Sequence, residues 1–478
     1  MTRTIAIAGA SGFVGSALVN DLGRDHHIVG LSRTARKSAA VEWRQCDLYS
    51  RLEVQRALEG CDVAVYLVHS MLPSARLTQA RFEDLDLILA DNFAKAARRA
   101  GVRQIVYLGG LVPDDDPARL SPHLASRLEV EHALGAAGVP VTALRAGLVV
   151  GAGGSSLHIL TKLVGRLPAM ITPKWTDSPT QPIALCDVVR AVRRTIEQPE
   201  AYLGAFDIGG PDVMSYREMM QRTAKVLSVD RPMLRAPFVS PRLSTLWVSL
   251  VTGMPIALVG PLVRSLEHAM TVESNPLQAW LLKGATTFDM ALREALRHEA
   301  RPKPRLAERH RERQKQRPER TVRSVQRLPR PEGHDAASVA RTYIDWLPRV
   351  WPPGGLRCEV DGDDVTFRLF GLPLLVLELS PTRSVDGRAL FYIIGGVLAD
   401  ISGPTRGRLE FREAPNGRDM LAAIHEFRPM LPWYLYNATQ AQAHAAVMWG
   451  FARHLRRFPS RPRETSTPAS AMSNPKLG

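Results

Sequence analysis

Three glycines near the amino terminus carry the clearest chemistry in this chain. Gly9, Gly12 and Gly15 are spaced G-x-x-G-x-x-G, after the β-branched run Thr4-Ile5-Ala6-Ile7-Ala8 and before an apolar helical pattern at Phe13, Val14, Ala17, Leu18 and Leu22. A strand, a tight turn and a helix start present unpaired N–H groups and the positive end of a helix dipole to an anion, which suits a dinucleotide pyrophosphate. Gly9 is expected to make the turn, Gly12 to let phosphates approach the backbone, and Gly15 to let the helix pack on the strand. Ser11, Phe13 and Val14 complete the expected binding turn.

About twenty residues further on, the run His27-Ile28-Val29-Gly30-Leu31 ends in Ser32 and Arg33, followed by Arg36 and Lys37. A site that prefers NAD(H) usually has Asp or Glu here for the ribose 2′-hydroxyl. A hydroxyl and a forked, permanently charged guanidinium suit a 2′-phosphate, so NADP(H) is expected over NAD(H).

These groups need a scaffold. Strand-like runs at Thr4–Ala8, Ile28–Ser32, Val41–Cys46, Val63–Val68, Gln104–Leu108 and Val141–Arg145 alternate with helix-like runs, clearest at Leu77–Ala100 and Leu124–Ala137. The pattern predicts an α/β class fold, a doubly wound parallel sheet of Rossmann type, over residues 1–150. Residues 151–300 are more helical and Pro-rich and read as a substrate lobe packed on that domain, with Asp187 as a candidate helix N-cap.

Residues 301–332 read as a basic linker. Within 301–330 there are twelve Lys/Arg against three acids, a net +9 of the chain's +15, with almost no apolar residues. Such a run cannot bury a core. No aromatic residues interleave with it, so nucleic acid is not an expected partner. Residues 333–460 change period: an amphipathic helix at Ala337–Val350, six strand-like runs, hairpin signals at Asp361-Gly362 and Asn416-Gly417, and a helix from Leu435 to Arg457. This order predicts a smaller α+β domain with an antiparallel sheet gripping a helix. Residues 461–478, rich in Ser, Thr and Pro, read as a disordered tail.

The chain has 478 residues, 45% hydrophobic and 23% charged, the composition of a globular protein with two or three domains. Its four cysteines show no metal or disulfide spacing, so no metal site is expected and a cytoplasmic location is the default. Leu243–Val263 is 21 residues without a charge, long enough to span a bilayer but broken by Gly253, Pro255, Gly260 and Pro261. Two short buried helices fit it better, with peripheral contact at the inner face of the membrane as the other expectation.

With these motifs in place, the first 300 residues resemble an atypical or extended short-chain dehydrogenase/reductase of the NmrA-like group. The resemblance rests on Gly9-x-x-Gly12-x-x-Gly15, Asp47-Leu48, Val65-Tyr66-Leu67-Val68-His69-Ser70, Leu144-Arg145-Ala146-Gly147 and Pro182-Ile183…Asp187-Val188. It implies that Asp47 and Leu48 contact the adenine, that His69 and Ser70 line the ribose on the nicotinamide side, and that Ala146 and Gly147 sit beside the nicotinamide. It also exposes a departure. Where active members carry Tyr-x-x-x-Lys, this chain reads His123-Leu124-Ala125-Ser126-Arg127, and the partner Ser position falls at Gly110. His123 is then the candidate general acid, and Arg127, which cannot exchange a proton at ordinary pH, a candidate for orienting a substrate anion.

Three functions are compatible with these residues. One is a reductase of a small or lipid-like carbonyl or enone. Another is a non-catalytic NADP(H)-binding sensor or assembly module. The third is a carrier of an apolar ligand in the C-terminal domain, which resembles helix-grip folds in element order.

Overall fold

The computed structural model describes residues 2–38, 41–70, 77–113, 120–236, 241–300, 321–350, 355–385, 387–403 and 405–458. The expected tail at 461–478 and most of the expected linker lie outside these residues. The chain divides into two units, 1–319 and 320–478.

The first unit is built on a parallel sheet. Its strands are β1 (Thr4–Ala8), β2 (His27–Ser32), β3 (Glu42–Gln45), β4 (Val63–Tyr66), β5 (Gln104–Gly110), β6 (Val141–Ala146) and β7 (Gly204–Ile208), in the spatial order β7-β6-β5-β4-β1-β2-β3. Ile5, Ala6, Ile7 and Ala8 are all buried, as expected of a central strand covered on both faces. β1 pairs in parallel with both β2 and β4. The strand order therefore reverses at β1, and the crevice outside its carboxyl end is where such sheets take ligands.

Helices α1 (Phe13–Leu22), α2 (Arg51–Leu58), α3 (Phe82–Arg99) and α4 (Pro122–Gly135) connect the first strands. The expected helix from Leu77 begins five residues late, and Leu77–Gln79 is extended. α3 has Glu83 and Asp84 in its first turn and Arg98 and Arg99 in its last, matching the helix dipole at both ends.

The expected boundary at residue 150 is not a structural one. β7 comes from beyond it and pairs in parallel with β6. Helices α5 (Ser155–Arg166), α6 (Leu185–Glu197), α7 (Tyr216–Val226), α8 (Pro241–Thr252), α9 (Ile256–Ser265), α10 (Pro276–Leu282) and α11 (Phe288–Ala300) complete the unit. α6 begins at Leu185 with Ala184 as its cap, so Asp187 lies inside the first turn. Its carboxylate there accepts from Arg190 at 2.8 Å and from the Thr286 N–H at 2.7 Å. The uncharged stretch 243–263 forms most of α8 and α9, separated at Gly253-Met254-Pro255. Val248, Val259 and Val263 from these helices join Leu157, Val164, Met219 and Leu292 in one core. Among the described residues no helix is long and apolar enough to cross a membrane.

The second unit is an antiparallel sheet with helices. Its strands are β8 (Val322–Pro329), β9 (Leu356–Asp361), β10 (Asp364–Leu369), β11 (Leu372–Leu379), β12 (Arg388–Gly395), β13 (Arg408–Glu413) and β14 (Asp419–Phe427). They are ordered β9-β10-β11-β12-β13-β14-β8. β8 corrects the expected linker boundary: Val325 pairs with Ala423 and Leu328 with Met420, so the sheet begins inside residues read as linker. Both hairpin signals are turns, and at the second the Asn416 side-chain oxygen accepts from the N–H groups of Arg418 and Asp419. Tyr343 of α12 (Ala336–Trp346) packs against Phe411 of the sheet and Phe451. The expected final helix is two, α13 (Trp433–Ala438) and α14 (Gln440–Leu455), broken at Thr439.

Candidate active site

The glycine turn has the geometry of an anion cradle. Gly9 has φ +94°, a conformation that favours glycine, and its carbonyl accepts from the Gly12 N–H at 2.8 Å. A Cβ on Gly15 would lie 2.1 Å from the Gly9 carbonyl oxygen, so only glycine lets α1 sit this close to the turn. Gly12 caps α1 with no side-chain hydrogen bond, and Ser11 and Gly12 are exposed. The first N–H groups of the helix are thus left to a ligand. Phe13 leans on the 151–154 turn, where a Cβ on Gly151 or Gly154 would meet its ring at 3.0 Å. These features fit a dinucleotide pyrophosphate.

At the end of β2 the Ser32 hydroxyl oxygen accepts from the Thr34 N–H at 3.3 Å and from Arg36 Nε at 3.2 Å. The Arg36 guanidinium lies over the Trp43 ring at 5.3 Å. Arg33 and Lys37 are exposed beside them. The Asp47 carboxylate accepts from the Tyr49 N–H at 3.1 Å, and its own N–H donates to Glu53 at 3.0 Å. The Leu48 carbonyl accepts from the buried Asn92 side chain at 3.0 Å. Glu53 and Asn92 hold this turn, and neither stands out in the sequence.

The other end of the crevice is organised by Asp86 on α3, which sequence reasoning missed. It is fully buried, accepting from the Ser70 N–H at 2.6 Å and from Arg127 Nη2 at 2.8 Å. Arg127, on α4, is thereby committed to a carboxylate rather than presented to a substrate anion. Its backbone carbonyl accepts from the Tyr107 hydroxyl at 3.2 Å. The buried atoms Arg127 Nε and His123 Nδ1 have no hydrogen-bond partner among the described residues. His69 is exposed.

Beyond Gly110, Ala146 and Gly147, at the carboxyl ends of β5 and β6, opens a cavity of about 200 Å³. Its walls come from α4, α5, α7, α8 and α9, with Ile159, Leu163, Met219, Val259 and Leu262 among them. His123, Ser156, Trp175, Tyr216 and Ser265 are the lining residues with polar side-chain groups. The Ser121 and Ser265 hydroxyls meet at 2.9 Å and tie the start of α4 to the end of α9. The sheet's carboxyl edge thus collects the expected cofactor residues from β1, β2, β4, β6 and the turn after β3, and α4 adds His123 and Arg127.

Burial, then the charge of Arg127, then His69, push the His123 pKa down to about 3. The ring is therefore neutral at pH 7: it can donate or accept a hydrogen bond, but the imidazolium form is not populated. The sign of the linked stability follows. The unfolded chain, with a histidine pKa of about 6.5, takes up the proton first as pH falls, so stability declines from about pH 6.5 downward. At pH 5 the loss from this half-buried ring is roughly 1–2 kcal/mol. His123→Gln should flatten the urea-derived stability profile between about pH 7 and 5 by that amount; an unchanged slope would place the ring in water.

Comparison with known proteins agrees with this architecture. Residues 5–209 match the NAD dependent epimerase/dehydratase family. A curated relative, the auxiliary protein GraX of Staphylococcus aureus (strain NCTC 8325 / PS 47), is 32% identical over 120 residues, 24% of this chain. The match spans only 39% of that protein's length. A nucleoside-diphosphate-sugar epimerase structure from Staphylococcus aureus superimposes with a TM-score of 0.50 at 18% identity, covering 62% of this chain and all of that one. The triphenylmethane reductase of Citrobacter sp. complexed with NADP(H) gives 0.48 at 18% identity, covering 61% of this chain and 99% of that one. At 18% identity the likeness to the epimerase structure is one of fold.

Proposed function

We propose that this chain, whose residues 5–209 match the NAD dependent epimerase/dehydratase family, is an NADP(H)-dependent reductase of small or lipid-like carbonyls or enones. One observation carries the reading: Ala146 and Gly147, the residues expected beside a nicotinamide, are themselves part of the wall of an apolar cavity. The dinucleotide, when bound, supplies hydride; the protein supplies position and surroundings. Gly9 to Gly15 hold the pyrophosphate, and Arg33 with Lys37 pairs with a 2′-phosphate. Gly110, Ala146 and Gly147 leave room for a flat ring. His123 offers a neutral N–H to an acceptor oxygen at the cavity wall, and the Asp86–Arg127 pair fixes the helix that carries it. A sugar nucleotide would bring many hydroxyl groups to walls that are mostly aliphatic, so the lining favours an apolar acceptor.

Arg33→Ala should weaken NADPH binding by about 30-fold, the loss of a charge-assisted contact worth roughly 2 kcal/mol. NADH binding should change by less than about twofold, since it has no phosphate at that position. Equal losses for both nucleotides would remove the 2′-phosphate assignment. The reaction itself is tested by NADPH consumption against a panel of apolar aldehydes, enones and quinones, with a sugar nucleotide as control. Consumption with an apolar acceptor supports the reductase.

A second reading has its own observation. Arg127 is occupied by Asp86, and the Tyr and Lys of the usual proton relay are absent. A protein that binds NADP(H) and reports its presence without turnover would have this site. Tight NADPH binding with no consumption across the panel would favour it.

A further inference from the structure

We propose that the α8–α9 hairpin docks this chain onto an anionic lipid bilayer surface. The inner sides of these helices close the cavity through Val248, Val259 and Val263. Their outer side is apolar as well: Leu246 is 57% exposed, Leu250 82% and Ile256 55%. Leu246 and Leu250 are one turn apart on α8, and Ile256 opens α9 after the exposed Gly253 and Pro255. A surface helix of a water-soluble domain normally turns polar residues outward, so three large aliphatic side chains around one turn need a partner.

Charge identifies that partner. From Arg231 to Leu266 the sequence contains no Asp or Glu, while Arg231, Arg235, Arg242 and Arg264 are all basic. Two cations of α5 lie at the hairpin turn itself: the Lys162 and Arg166 side chains donate to the carbonyls of Thr252 and Val251, at 2.9 and 2.8 Å. An apolar tip with Lys162 and Arg166 beside it, on a stretch of sequence without acids, matches the boundary between anionic headgroups and acyl chains. A second copy of the same basic face would meet like charge, which opposes self-association there. Docking at this place would set the hairpin that roofs the cavity against lipid. The inference stands on the hairpin alone and does not need the reductase reading.

The test is flotation of the full chain with vesicles of phosphatidylcholine, with and without phosphatidylglycerol, at physiological salt. Binding is expected with the anionic vesicles and not with the neutral ones. The variant Leu246→Ser/Leu250→Ser/Ile256→Ser should lower partitioning about tenfold, because the aliphatic contribution is lost while the cations remain. All three side chains are exposed and outside the nucleotide cradle, so its NADPH affinity should equal that of the wild type. Replacing Arg309, Arg311, Arg313 and Arg317 by Gln should leave the effect of the three Leu and Ile changes in place. Three results would overturn the proposal: no flotation of the wild type, equal flotation of the triple variant, or a wild-type dimer that the triple variant breaks.

Discussion

Gly12→Val should abolish nucleotide binding in a protein that remains folded. Gly12 has φ −81° and ψ −175°, extended values that a valine adopts without strain. It is exposed, and an added Cβ would come 3.1 Å from the Gly9 carbonyl, close enough to require only a small shift. The branched methyls would stand in front of the free N–H groups of α1. Each lost contact to a charged phosphate is worth about 1.5–3 kcal/mol, so losing two should weaken NADPH by at least about 100-fold. The melting temperature should move by no more than a few degrees. Gly15→Val is the contrast: with a Cβ only 2.1 Å from the Gly9 oxygen, it should unfold the turn itself. Unchanged NADPH affinity in Gly12→Val would mean that the cradle does not face the ligand.

Asp86→Ala should be strongly destabilising. It would leave the Arg127 guanidinium buried without its carboxylate and the Ser70 N–H without its acceptor. Breaking one side of a buried pair costs about 3–5 kcal/mol, a large part of the total stability of a typical domain. Asp86→Ala/Arg127→Leu should recover much of that loss, because no charge is then left unpaired. Urea denaturation of the wild type, the two single variants and the double variant reads both the loss and the coupling. A cost below about 1 kcal/mol for Asp86→Ala would show that water reaches Arg127.

The residues that define the fold are those with local signatures. The glycine turn, the doubly buried strand Thr4–Ala8 and the alternation of strand and helix were readable because each depends on neighbours in sequence. What escaped depends on partners far along the chain. β7 is a five-residue strand that becomes recognisable only on pairing with β6, some sixty residues earlier. β8 was hidden by its arginines: Arg323 and Arg327 belong to a charge run, while Val322, Val325 and Leu328 are buried in the sheet. Asp86 sits among the acids that open its helix, after Glu83 and Asp84, and its partner is 41 residues away. The uncharged run at 243–263 had the length of a membrane span, and Gly253 and Pro255 separated it into two helices that roof the cavity. His123 is legible by position, but its protonation state depends on burial and on Arg127, neither of which spacing reveals.

On the proposed function, NADPH delivers hydride to an apolar acceptor in the cavity beside Ala146 and Gly147. The most direct test is to incubate the full chain with NADPH deuterated at C4 of the nicotinamide and an apolar enone, then measure deuterium in the product by mass spectrometry. The product should carry one deuterium, from one face of the nicotinamide only, and none with Gly12→Val. Tight NADPH binding with no label in the acceptor, across enones, aldehydes and quinones, would contradict it and leave a protein that binds the nucleotide without reducing anything.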